Sequence, residues 1–234
     1  MPGMDAFIAH LARLAVLALP VLLAITVHEA AHGWVAQRLG DETAARLGRV
    51  SFNPLRHIDL FGTILVPLAI FLASSLMNSA PLLFGWAKPV PVDWRKLRRP
   101  RRDMGLVAIA GPGANLLMAL AWSGVLLGVA ALPLPAWFAL PLFAMSAFGM
   151  LINLFLMALN LFPLPPLDGG RILTALLPHA LARPFARLEP FGLPILLLLL
   201  VSGWLGRLLL PVVQGALALL PGSELVFRTL LSVQ

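Results

Sequence analysis

Apolar residues in this chain come in runs about as long as a lipid bilayer is thick, and that limits the folds open to it more than any other feature. The runs extend from about Leu11 to Val35, Ile58 to Met77, Met104 to Leu132, Trp137 to Leu161 and Phe191 to Leu220. A spanning helix needs roughly 20 predominantly apolar residues, and each run is of that order. Composition agrees: 60% of the 234 residues are hydrophobic and 12% are charged, whereas a soluble domain carries about 25% charged residues. Lipid offers no hydrogen bonds, so a segment of this length satisfies its backbone only as a helix. The expected fold is an all-α polytopic membrane protein of about five to six transmembrane helices.

The breaks between runs refine this. The stretch from Phe7 to Leu39 is too long for a cleaved signal peptide and reads as a retained helix. Pro67 and the polar break from Asn78 to Pro81 interrupt the second run. A short helical piece is expected from Arg171 to Leu181. The last run has Arg207 in its middle and Pro211 beyond. It is either one spanning helix with a short amphipathic one, or two tightly turned helices. Two polar pieces read as extended: Arg46 to Phe52, bounded by Gly40 and Asn53-Pro54, and Trp86 to Val92, where Pro89 and Pro91 exclude a helix.

The net charge of +7 does not point to nucleic acid. Lys88, Arg95, Lys96, Arg98, Arg99, Arg101 and Arg102 cluster beside one apolar run, and Arg38, Arg46, Arg49 and Arg56 lie between two others. Basic juxtamembrane loops follow the positive-inside rule and meet anionic lipid. If both clusters share one side, the segment from Ile58 to Gly85 cannot cross just once, so a re-entrant hairpin is favoured over an outward-facing cluster. Cysteine is absent, which excludes disulfides, thiolate metal sites and a thiol nucleophile.

Chemistry enters with His28-Glu29-Ala30-Ala31-His32 near the end of the first run. Four residues apart on a helix, His28 and His32 share a face and can converge on one metal ion. Glu29 then lies where it can act as general base on a water in the metal's open position. Ionisable groups at membrane depth are costly unless they have a function. Zinc takes a third protein ligand in such sites, and Asp168 is the best candidate. It lies in Asn160-Leu-Phe-Pro-Leu-Pro-Pro-Leu-Asp168-Gly-Gly-Arg171, where Pro163, Pro165 and Pro166 break the helix. The alternative for Asp168 is a cap on the helix that follows.

With these motifs, and with Gly111-Pro112-x-x-Asn115 opening the third run, the chain resembles the site-2 protease family of intramembrane metalloproteases. The matching elements occur in the family's order over about Leu11 to Leu181. The resemblance implies one Zn2+ per chain held by His28, His32 and Asp168, with Glu29 activating water. It also implies hydrolysis of peptide bonds in or near transmembrane segments of protein substrates. Asn160 looks like the family's polar residue near the metal, orienting the scissile peptide or stabilising the oxyanion; alternatively it bonds the carbonyls of a broken helix. The extended pieces around Val50 and Val90 resemble the family's small membrane-surface β-hairpin or sheet near the active site, whose edge would hold a substrate in extended form. Gly111, Pro112 and Asn115 read as helix-packing residues.

Residues 1–234 thus read as a single integral membrane domain, with C-terminal helices over about 190–220 and no room for a PDZ or CBS domain. The expected location is the plasma (inner) membrane of a prokaryote. His57 and Asp59 read as a capped helix start, and His10 and His179 receive no role. A membrane metal transporter using the same His and Asp residues is the alternative function. Substrate identity and oligomeric state are not legible.

Overall fold

The computed structural model describes residues 2–57, 59–66, 69 and 88–231. The first apolar run becomes α1 (Pro2–Arg38), with a one-turn α2 (Thr43–Arg46) behind it. The third and fourth runs become α3 (Pro100–Ala131) and α4 (Ala136–Asn160), with boundaries close to those expected. Among the described residues five shorter α-helices follow: α5 (Asp168–Leu176), α6 (His179–Ala186), α7 (Glu189–Val201), α8 (Trp204–Ala218) and α9 (Ser223–Leu231).

Among the described residues, three helical segments are long and apolar enough to cross a bilayer: Val16–Arg38, Pro100–Ala131 and Ala136–Asn160. A fourth is reached if α6 and α7, bent by 65° at their junction, form one span. Among the described residues this is below the five to six expected, a count that included the second run. The last run accounts for part of the difference, because Gly203 adopts a left-handed φ of 75° and splits it into α7 and α8. At 1.5 Å per residue these helices are only about 20 Å long, so the run is two tightly turned helices. The proposed re-entrant segment from Ile58 to Gly85 lies largely outside the described residues.

α1, α3 and α4 pack on one another, α5 lies against α3, and α8 against α4. The main core is drawn from α3, α4, α7 and α8, with Trp122, Leu126, Met150, Leu154, Leu196 and Leu209 among its members. Outside it, Leu117, Trp137, Leu140, Leu198 and Leu219 are exposed, Leu219 at 85%. Water would penalise so much apolar surface at about 25 cal/mol per Å2, whereas lipid removes that penalty. Helix contact relies on small residues. A Cβ at Gly149 would come 2.6–2.7 Å from the Trp122 indole. Gly149→Ala is therefore expected to destabilise the bundle by about 1–3 kcal/mol, read as a lower unfolding temperature in detergent.

No strand occurs among the described residues, so the expected β-hairpin is corrected. Arg46 ends α2, and the Arg49 N–H returns to Ala44 O at 2.9 Å around Gly48, whose φ is 64°. Nearby, 88–92 has no regular secondary structure and few donors to pair with. Pro89 and Pro91 lack an N–H, and the Val90 N–H donates to the Glu29 carboxylate at 2.6 Å. The two pieces are joined by a side chain instead, Arg49 Nη2 donating to Lys88 O at 2.8 Å.

The 88–98 segment lies across the end of α1. Asp93 N–H donates to Asp41 Oδ2 at 2.7 Å, Arg98 N–H donates to Leu39 O at 3.0 Å, and Leu97 is buried with Ala36 and Val107. Burial favours the neutral form of Asp41, but hydrogen bonds from Thr43 and Asp93 outweigh it and hold the carboxyl below its usual range. His57 is buried, with Nε2 facing Ser51 O at 2.9 Å, and Asp59 accepts from Gly62 N–H at 2.7 Å, both consistent with a structural role.

Candidate metal centre

Four helix ends meet at one place. The C-terminal part of α1 brings His28, Glu29 and His32; the start of α3 brings Val107 and Gly111; the end of α4 brings Asn160; the start of α5 brings Asp168. His28 and His32 project from one face of α1, with ring centroids 4.6 Å apart and planes at 85°. Asp168 is the first residue of α5, and the preceding Leu167, not Asp168, occupies the cap position. Its carboxylate points at the imidazoles, which removes the capping alternative. Gly169 and Gly170 are needed for a close approach of backbone rather than for a turn: a Cβ at Gly170 would meet the Leu164 carbonyl carbon at 2.5 Å. Gly192 of α7 presses on Pro165 and Pro166 from the other side. The proline segment that seats Asp168 is thus clamped between α5 and α7.

The expected ligand atoms converge. His28 Nε2 and His32 Nε2 are 3.0 Å apart, and Asp168 Oδ2 lies 3.3 and 3.2 Å from them. Among the described residues, these three form the group of metal-ligating side chains, all buried, with donor atoms within 4.8 Å of one another. A tetrahedral site with bonds of about 2.0–2.1 Å places its donors roughly 3.3 Å apart, so the triangle has the size that zinc requires. Two further observations fit a cation. Asp168 Oδ2 is buried without a hydrogen-bond partner. Each Nδ1 already faces an oxygen, Asn115 Oδ1 at 2.6 Å for His28 and Val107 O at 2.7 Å for His32. Both Nε2 lone pairs are then turned inward, the arrangement that outer partners impose on metal-binding histidines.

The site opens on a recess of about 140 Å3 lined by His28, Glu29, His32, Val90, Asn160, Asp168 and Arg171, among others. Glu29 is half-buried beside the triangle, with Oε2 holding the Val90 N–H. Asn160 lines the recess, and its Nδ2 donates to Leu156 O at 3.0 Å, as the broken-helix alternative expects. Arg171 lies over the Trp94 ring, its guanidinium carbon 4.8 Å from the centroid. His179 is on α6 and does not join the site.

Sequence reasoning missed several participants, three of them built from backbone. Gly111 packs directly on the imidazoles, the Val107 carbonyl orients His32, and the Val90 N–H holds Glu29. The two backbone groups leave no mark in residue identity. Gly111 was visible as a close-packing position, but nothing in the sequence says what packs against it.

Residues 129–203 match peptidase family M50. The matched stretch includes Asn160 and Asp168, and the two histidines precede it. The chain is 34% identical to "Putative zinc metalloprotease YwhC" of Bacillus subtilis (strain 168), over 97% of this chain and 100% of that protein. It is also 28% identical to "Putative zinc metalloprotease Rip2" of Mycolicibacterium smegmatis, over 80% of this chain and 66% of that one. A protein of the same name in Mycobacterium tuberculosis (strain H37Rv) is 30% identical over 78% and 67%. No solved structure matches the chain.

Proposed function

The chain belongs to peptidase family M50, the site-2 protease family, and from that premise we propose that it is a multi-pass zinc endopeptidase of a bacterial plasma membrane, hydrolysing peptide bonds in or beside the transmembrane segments of other proteins. The observation that carries this reading is the meeting of His28, His32 and Asp168 within bonding size of one ion, with Glu29 at its side. His28 lies ten residues before Arg38 at the end of α1, about 15 Å along the axis. That is about half the thickness of a hydrocarbon core, which supports a cut at membrane depth.

When bound, zinc acts as a Lewis acid on the scissile carbonyl and lowers the pKa of an attacking water. His28, His32 and Asp168 would hold it. Glu29 takes a proton from the water and returns it to the leaving amine. One of its oxygens is held by Val90, which leaves the other for this transfer. Asn160 has a second amide proton free of Leu156, suited to a developing oxyanion at the same recess.

A recess of 140 Å3 is too small for a helix about 10–12 Å across, which supports a substrate that presents an unwound segment. The 88–92 piece can line it, but mostly as an acceptor surface. Metal transport, the alternative, draws no support from the relatives.

Asp168→Ala is the direct test. The purified variant is expected to hold well under one zinc per chain by elemental analysis and to lose cleavage of a transmembrane reporter in detergent. Full zinc occupancy in that variant would remove Asp168 from the site.

A further inference from the structure

A line of amides runs from His28 through the middle of the bundle. His28 Nδ1 lies 2.6 Å from Asn115 Oδ1. Asn115 Nδ2 donates to Ala24 O at 3.3 Å and to Asn153 Oδ1 at 3.0 Å. Asn153 Nδ2 donates in turn to Gly149 O at 2.8 Å. Asn115 on α3 and Asn153 on α4 are both fully buried, at 0% exposure.

The direction of this line is fixed at its far end. A backbone carbonyl only accepts, so Gly149 O requires the Asn153 nitrogen. That leaves the Asn153 oxygen for Asn115, which must answer with its own nitrogen, as Ala24 O also demands. Turning over either amide would set oxygen against oxygen inside the bundle. Asn115 therefore presents its oxygen to His28, and His28 must donate from Nδ1.

We propose that Asn115 and Asn153 are positioning residues for the metal, together setting His28 in the tautomer and orientation in which Nε2 is the ligand. This rests on the reading of His28, His32 and Asp168 as the zinc ligands. His32 provides the contrast. Its Nδ1 faces the Val107 backbone carbonyl, which no side-chain substitution removes. His28 is the ligand whose state depends on side chains, and one of these belongs to α4, a helix that supplies no ligand. The signal was present in the sequence as an amide within an apolar run, where polar groups are retained for a purpose.

Buried amides also hold membrane helices together, so the test must separate the two roles. It uses the full chain in detergent, with zinc affinity measured against a competing chelator at fixed pH and thermal unfolding recorded without zinc. Asn115→Leu is expected to weaken zinc roughly 10–100-fold, the cost typical of losing an outer partner of a ligand. Asn153→Leu should shift affinity in the same direction by less. If both leucine variants unfold at lower temperature yet bind zinc as the wild type does, the amides are purely structural and the proposal is overturned. Where Asn115→Leu does not fold, Asn153→Leu decides alone. A wild-type chain that binds no zinc would overturn the ligand assignment itself, an outcome visible before any amide is changed.

Discussion

Glu29→Gln is expected to keep its zinc and to lose about 10²–10⁴-fold in turnover, the usual contribution of a positioned general base. The substitution separates chemistry from architecture. The glutamine oxygen can still accept the Val90 N–H that Glu29 Oε2 holds at 2.6 Å, so the 88–92 segment keeps its seat. Glu29 is outside the trio of ligand atoms, so metal content should not change. What disappears is a carboxylate able to take and return a proton. Asp168 is the other carboxylate lining the recess, and it faces the two imidazoles. Elemental analysis and a transmembrane-segment cleavage assay on the purified full chain check both halves. Turnover within a few-fold of wild type would move the base elsewhere.

How much of this was legible depends on which atoms carry each feature. α1, α3 and α4 could be read because lipid forces long apolar runs into helices, and side chains announce those runs. The histidine pair could be read because helical spacing alone puts His28 and His32 on one face. Asp168 stood out as a carboxylate in a proline-broken segment, although its place as the first residue of α5 depended on how Leu161–Pro165 packs against Gly169 and Gly170. The hairpin failed for a reason that residue propensities do not hold. A ladder needs free N–H groups, two of those on 88–92 are absent at proline, and the next goes to Glu29. Val50 and Val90 suit a strand, but they pack on Gly33 instead. The last run was left open between one spanning helix and two turned ones, and Gly203 decides it, because one left-handed residue divides the run. Asn115 was read as helix glue; it does bond across helices, but its partners include His28, one of the expected metal ligands.

Gly111→Ala is expected to abolish zinc binding and, with it, cleavage. A Cβ at Gly111 would lie 2.5 and 2.6 Å from Cε1 and Nε2 of His28, and closer still to His32 Nε2. That carbon would press on the very nitrogens that must hold zinc at about 2.0–2.1 Å. α3 has little freedom to retreat. Val107 and Asn115 flank Gly111 one turn away on each side and hold His32 and His28 by their Nδ1 atoms. Backing the helix away would break both contacts and turn the ligands. Local propensity argues the other way: alanine is favoured over glycine inside a helix by about 1 kcal/mol. A loss on substitution therefore cannot come from α3 alone, and the steric account stands or falls by itself. Gly113→Ala provides the control on the same helix, since a Cβ there meets nothing within 4 Å. It should bind zinc and cleave as the wild type does, with unfolding unchanged or slightly raised. Elemental analysis and unfolding with and without zinc read both variants: Gly111→Ala should show no increment on adding the metal, whereas Gly113→Ala should show the wild-type increment. Stoichiometric zinc in Gly111→Ala would mean that α3 yields at this point, and that the contact between Gly111 and the imidazoles does not define the metal site.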